Sequence, residues 1–153
     1  MLWWVEGLKR IYCKECFEKI FSIFPEMEGN RLVNKVNKMK IALLAGGWSG
    51  EREISLKSGE AVYRALNKEK YDVTMYDPRD NLKALLEAKG EIDLAFVLLH
   101  GKYGEDGCIQ GMLDILGLPF VGSGVLSSAM ALNKSVAKAI FRTMGLRVAK
   151  DIV

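Results

Sequence analysis

Two short apolar runs that stop on glycine constrain this chain more than any other feature. Lys40–Ala45 runs without polar alternation into Gly46-Gly47, and Ile92–Leu99 lies between Gly90 and His100-Gly101. Strands that show no alternation are buried on both faces, which requires helices on either side of the sheet. The intervening segments supply them. Glu53–Leu66 has helical spacing in Ile54, Ala61, Val62 and Ala65, with Gly59 as a mild interruption. Tyr71–Tyr76 alternates and stops at Asp77-Pro78, which predicts a second strand, and Leu82–Ala88 is helical. Gln110–Leu116 forms a short helix closed by Gly117, and Leu118–Val121 a fourth strand. Val125–Leu132 and Ser135–Met144 complete the series, with Gly145 ending the last helix. The order β-α-β-α-β-α-β-α predicts a three-layer α/β sandwich around a mostly parallel sheet.

Ligands of such sheets sit at the carboxyl ends of the strands, near the point where strand order reverses. Three glycine-rich segments follow strand ends here: Gly46–Gly50, Gly101–Gly107 and Gly122–Gly124. Any one of them is explained by turn geometry; three along one edge predict a site, with backbone N–H groups free to approach a ligand. The net charge of +3 is spread evenly, so a nucleic-acid footprint is excluded and a small molecule is the expected partner. No G-x-G-x-x-G or G-x-x-x-x-G-K-[ST] fingerprint occurs, and Gly47-Trp48-Ser49-Gly50-Glu51 lacks the last glycine of a hydrolase elbow. Cys13-x-x-Cys16 is half of a zinc site at most, and the only histidine, His100, is far along the chain, so no metal site is expected.

The texture changes near Met39. Before it, Leu2, Val5, Leu8, Tyr12, Cys16, Ile20 and Phe24 recur every three to four residues and predict an added amino-terminal amphipathic helix. Residues 1–38 are therefore read as an extension, one that a wrongly chosen upstream start codon would also explain. Glu6, Glu15 and Glu18 offset much of the positive charge of Lys9, Arg10, Lys14 and Lys19, which argues against membrane contact by residues 1–24. Glu6, Lys9 and Arg10 also interrupt what would have to be an apolar secretory leader. With three cysteines that cannot all pair, a reducing, cytoplasmic location is expected.

Two segments carry chemistry. One is Gly46-Gly47-Trp48-Ser49-Gly50-Glu51-Arg52-Glu53-Ile54-Ser55; the other is His100-Gly101-Lys102-Tyr103-Gly104-Glu105-Asp106-Gly107-Cys108-Ile109-Gln110-Gly111. With Gly117-Leu118-Pro119-Phe120-Val121-Gly122-Ser123-Gly124 and Ser128-Ala129-Met130-Ala131-Leu132-Asn133-Lys134, they resemble the amino-terminal domain of D-alanine–D-alanine ligases, ATP-grasp enzymes of peptidoglycan synthesis. The resemblance covers residues 39–153. It implies a Rossmann-like (pre-ATP-grasp) domain over residues 39–145 and the start of a central ATP-grasp domain over 146–153.

The resemblance also implies a chemistry. Two D-alanines are joined: ATP phosphorylates the carboxylate of one, and the amine of the other attacks the acyl phosphate. Glu51 is then the catalytic-site carboxylate that grips the ammonium of the first D-alanine, since a charge-assisted bond fixes position well. His100 lies near the substrate carboxylate, Ser123 and Gly124 belong to a turn beside the substrate, and Lys134 reaches toward the nucleotide phosphates. Glu105 and Asp106 are expected to order their loop through backbone N–H groups. ATP and Mg²⁺ are implied for the full enzyme, with most of their contacts in domains expected beyond Val153, and so is a homodimer. The chain alone is expected to be inactive. Two departures stand out: Asn133 occupies a position where the family often has Asp, and Arg147 one where proline usually follows Gly-Leu. The competing reading is a non-catalytic α/β interaction module that keeps the ligase loops.

Overall fold

The computed structural model describes residues 38–150. The expected amino-terminal helix and its cysteines lie outside the described residues. Four strands, β1 (Met39–Leu44), β2 (Tyr71–Tyr76), β3 (Leu94–Val97) and β4 (Phe120–Val121), form one sheet in the order β2-β1-β3-β4. All three pairings are parallel, with Leu44 opposite Tyr76 on one side and Val97 on the other. Five helices connect and follow them: α1 (Arg52–Ala65), α2 (Pro78–Ala88), α3 (Cys108–Ile115), α4 (Val125–Leu132) and α5 (Lys134–Thr143).

Both faces of β1 are covered, as its unbroken apolar run requires. Ala42 and Leu44 point into a cluster with Leu85 of α2, Ala95 of β3, and Ile109 and Leu113 of α3. The opposite face carries Ile41, Leu43 and Ala45, also buried. There α1 lies on the sheet through Ser55, Gly59 and Val62, spaced four and three residues apart on one helix face. Leu43, Leu44, Leu85 and Leu113 are wholly buried, each worth about 1.5–3 kcal/mol of transfer free energy. Helices on both faces of a parallel sheet make the three layers.

Element ends differ from expectation for local reasons. The second helix begins at Pro78 rather than Leu82: Asp77 caps it, accepting from the Arg79 N–H at 3.0 Å, and Pro78 opens the first turn. The backbone leaves helical geometry at Asn81 (φ −126°, ψ 27°), so the apolar periodicity becomes regular only beyond it. The third strand, Leu94–Val97, is shorter than the apolar run Ile92–Leu99: Ile92 closes the 3₁₀ turn at Lys89–Glu91, and the chain parts from β1 after the Leu98 N–H bonds the Leu44 carbonyl.

Candidate functional site

Strand order reverses between β1 and β3. The chain leaving β1 passes over one face to β2, and β3 lies on the other side of β1, so the segments after β1 and β3 flank a crevice at the carboxyl edge. The first segment carries Glu51, the second His100.

The Gly46-Gly47 turn is held from two directions. The Gly46 N–H donates to Ser55 Oγ at 2.8 Å, and the Gly47 N–H donates to Asp77 Oδ1 at 2.8 Å. Ser55 in turn donates to the Leu98 carbonyl at 2.6 Å, tying the turn to the end of β3. Arg52, in the first turn of α1, places Nη2 2.6 Å from Asp77 Oδ2 and 2.7 Å from Asp80 Oδ2. The Asp77 contact is an ion pair off the hydrogen-bonding line, and Arg52 Nε has no acceptor among the described residues.

Glu51 is the N-cap residue of α1, yet its side chain makes no capping bond; its N–H donates to Ser49 Oγ at 3.1 Å. The carboxylate is exposed and turned toward the second segment, where a Cβ on Gly101 would lie 3.7 Å from Glu51 Oε1 and 3.2 Å from Ser49 Cβ. The two segments therefore meet at Glu51 and Gly101. His100, half-buried, immediately precedes that contact.

The second segment is folded on itself. Glu105 Oε2 accepts from the Gly101 N–H at 2.7 Å, and the Asp106 oxygens accept from the N–H groups of Tyr103 (2.8 Å) and Cys108 (3.0 Å). The buried Gln110 side chain donates to the Gly104 carbonyl at 2.8 Å. Burial raises the Asp106 carboxyl pKa, but the bonds from Tyr103 and Cys108 outweigh it and hold it below its ordinary value. The Cys108 thiol is pushed up, first by its hydrogen bond to Asp106, so it is not an activated thiolate. The N–H groups of Gly46, Gly47 and Gly101 thus serve side chains of the domain itself. At Gly46 and Gly47 this corrects the expectation of N–H groups free for a ligand, since Ser55 and Asp77 occupy them; at Gly101 it is the loop-ordering role expected of Glu105.

Next to this contact, Trp48 and Tyr103 meet edge to face at 5.8 Å and, with Cys108, Ile109 and Met112, line a cavity of about 350 Å³. Tyr103 sits at φ +66°, a left-handed conformation that a bulky residue rarely adopts. The third segment abuts the second, because a Cβ on Gly107 would lie 2.8 Å from the Val125 carbonyl oxygen. There the Ser123 carbonyl accepts from Ser128 Oγ at 3.2 Å, and the Gly124 carbonyl accepts from the Ser128 N–H at 3.0 Å.

The carboxyl edge thus brings Glu51, His100, Ser123 and Gly124 into neighbouring segments. Lys134 is set apart: it is exposed, in the first turn of α5, a helix packed chiefly on α4. Asn133 caps α5 by accepting from the Val136 N–H at 3.1 Å, a task that Asp performs equally well. Sequence reasoning alone gives Arg52, Ser55 and Asp77 no role in the site. The signals were a serine on the apolar stripe of α1 and the Asp-Pro pair that marks a helix start.

This is an α/β domain whose candidate ligand site lies at the switch point of a parallel sheet. The family described as D-ala D-ala ligase N-terminus matches residues 40–87 and 77–123, and the chain belongs to it. A D-alanine–D-alanine ligase of Syntrophobacter fumaroxidans is 52% identical over 116 residues, covering 76% of this chain and 37% of that protein. One from Desulfotalea psychrophila is 51% identical over 115 residues, covering 75% and 36%. The crystal structure of the Bacillus anthracis D-alanine–D-alanine ligase complexed with ATP superposes with a TM-score of 0.67 at 38% identity, over 73% of this chain and 39% of that one. The chain spans little more than a third of the length of these relatives.

Proposed function

We propose that this chain is the amino-terminal substrate-binding part of a cytoplasmic, homodimeric D-alanine–D-alanine ligase, which joins two D-alanines with ATP hydrolysis for peptidoglycan synthesis. The observation that carries the reading is the meeting of the Glu51 and His100 segments at the switch point, through Ser49, Glu51 and Gly101. Glu51 is uncommitted to helix capping, so its charge is available for an ammonium group. His100 beside it supplies a donor for the substrate carboxylate, and the Ser123-Gly124 turn bounds the crevice.

In the reaction the γ-phosphoryl group of ATP passes to the carboxylate of one D-alanine. The amine of the other attacks the acyl phosphate, and inorganic phosphate leaves. The described residues contribute binding and orientation to that sequence. Lys134 is the residue proposed to reach the nucleotide phosphates, as a point charge. Mg²⁺ is proposed to act with ATP, most of its contacts coming from the domains that the ligase reading places beyond this part. Among the described residues, no helix is long and apolar enough to cross a membrane.

The test is a hybrid in which residues 39–150 replace the matching part of the Syntrophobacter fumaroxidans relative. It is expected to form D-alanyl-D-alanine with ATP. Glu51→Gln should raise the KM for the first D-alanine about 10- to 100-fold, the loss of a hydrogen bond to a charged group, on the order of 1.5–3 kcal/mol, with the KM for ATP little changed. An unchanged D-alanine KM and kcat would remove Glu51 from the site.

A further inference from the structure

We propose that Ser55 is a positioning residue whose hydroxyl acts as one more rung of the sheet, fixing the Glu51 segment against the His100 segment. The inference rests on the ligase reading only for what the two segments bind.

The last backbone rung between β1 and β3 is the Leu98 N–H to the Leu44 carbonyl, at 2.8 Å. Past it the two chains part, and no backbone hydrogen bond joins residues 45–51 to residues 99–107 among the described residues. Ser55 stands in that gap. It is wholly buried and accepts from the Gly46 N–H at 2.8 Å. Its single O–H donates to the Leu98 carbonyl at 2.6 Å, so the direction of both bonds is fixed. A bond received strengthens the bond given, so the two act together.

The position itself argues for a task beyond packing. Ser55 shares its helix face with Gly59 and Val62, against the sheet, where alanine would fill the space without burying a hydroxyl. Its two partners lie close to the candidate substrate groups: Gly46 is on the turn that leads to Glu51, and Leu98 is two residues before His100. Asp77 holds the same turn from the other side through Gly47, and its hydrogen bonds among the described residues go to the Gly47 and Arg79 N–H groups rather than to the β3 end. Of the two clamps, the hydroxyl is the one that couples the segments.

The test uses the 153-residue chain, ¹⁵N-labelled, and compares Ser55→Ala, Ser55→Cys and Ser55→Thr with the unmutated protein. Ser55→Ala is expected to speed hydrogen exchange at the Gly46 amide by at least about tenfold. It should also shift or broaden the Ser49–Glu51 and His100–Gly101 amides together, while β4 and α2 amides stay put. Ser55→Thr, which keeps the hydroxyl, should restore the native pattern, and Ser55→Cys, which weakens both bonds at similar volume, should fall between. Changes confined to Gly46, with His100–Gly101 unmoved, would overturn the proposal, as would equal loss of protection throughout β1, α1 and β3 in both the Ala and the Cys variants. In the hybrid ligase, Ser55→Ala should raise the D-alanine KM about tenfold and spare the ATP KM; equal rises in both would overturn it too. An inactive unmutated hybrid would sink the ligase reading alone, because the NMR comparison does not depend on it.

Discussion

Gly46 and Asp77 occupy each other's space: a Cβ on Gly46 would run into the Asp77 carboxylate, Oδ2 first. Gly46 also sits at φ +100°, where an L-side chain is strained. The carboxylate comes this close because Oδ1 accepts from the next N–H, that of Gly47. Gly46→Ala should therefore destabilise the domain by more than the roughly 1–3 kcal/mol of backbone strain alone. Urea unfolding of Gly46→Ala, Asp77→Ala and the pair separates the two costs. The double variant should lose less than the sum, because the clash disappears and only the strain remains. Strict additivity would show that the collision carries no energy.

Asp77 performs three tasks that two substitutions divide. Asn keeps Oδ1 for the Gly47 and Arg79 N–H groups but removes the charge opposite Arg52, whose guanidinium is only partly exposed. Asp77→Asn should cost about 1–2 kcal/mol, between an exposed and a buried pair, and high salt should narrow the gap to the native protein. Asp77→Ala also removes the cap and orphans the Gly47 N–H, adding about 1–3 kcal/mol. Equal losses for the two variants would mean that the charge, not the cap, holds the turn.

Gly59 reverses the usual rule for helix interiors. Alanine in place of glycine ordinarily gains about 1 kcal/mol there. Here a Cβ on Gly59 would lie 2.5 Å from Ala45 Cβ and 3.2 Å from Met75 Sδ, so α1 approaches β1 closely only because glycine is present. Gly59→Ala should lift α1 and lower stability by about 1–2 kcal/mol net. Adding Ala45→Gly should recover most of the loss in thermal melting; no recovery would place the obstruction elsewhere.

Much of this fold was legible because burial on both faces leaves its mark on a strand. Ile41–Ala45 and the run through Leu99 showed no alternation, and the sheet covers both faces of β1 as that pattern demands. The glycine clusters follow β1, β3 and β4 at the carboxyl edge of the sheet, as their placement after apolar runs predicts. What approaches the N–H groups of Gly46, Gly47 and Gly101 is not written in the sequence alone, which shows that an N–H can be approached closely but not by what. Ser55 and Asp77 take the Gly46 and Gly47 groups from 9 and 30 residues away, set by tertiary packing, whereas Glu105 takes the Gly101 N–H within its own loop, as expected of it. Gly59 reads as a mild interruption of a helix; its reason, Ala45 just past the end of β1, is nonlocal. Asn81 hid the first turn of α2, since the helical period resumes only after it.

Asp106 supplies the pH test. Its carboxyl lies below the ordinary value near 3.8, because the N–H groups of Tyr103 and Cys108 favour the charged form more than burial opposes it. A carboxyl depressed in the folded protein binds fewer protons there than in the unfolded chain. Its stabilising contribution is therefore complete above the unfolded pKa and is lost as pH falls through the folded one. The His100 segment should loosen in acid below about pH 4. Asp106→Asn keeps an oxygen acceptor and removes the titration. Melting curves from pH 7 down to pH 2.5 should show the native protein ahead at neutral pH and the two converging in acid. A gap that stays constant over that range would mean that Asp106 does not titrate with folding, and a gap that widens toward acid would reverse the sign argued here.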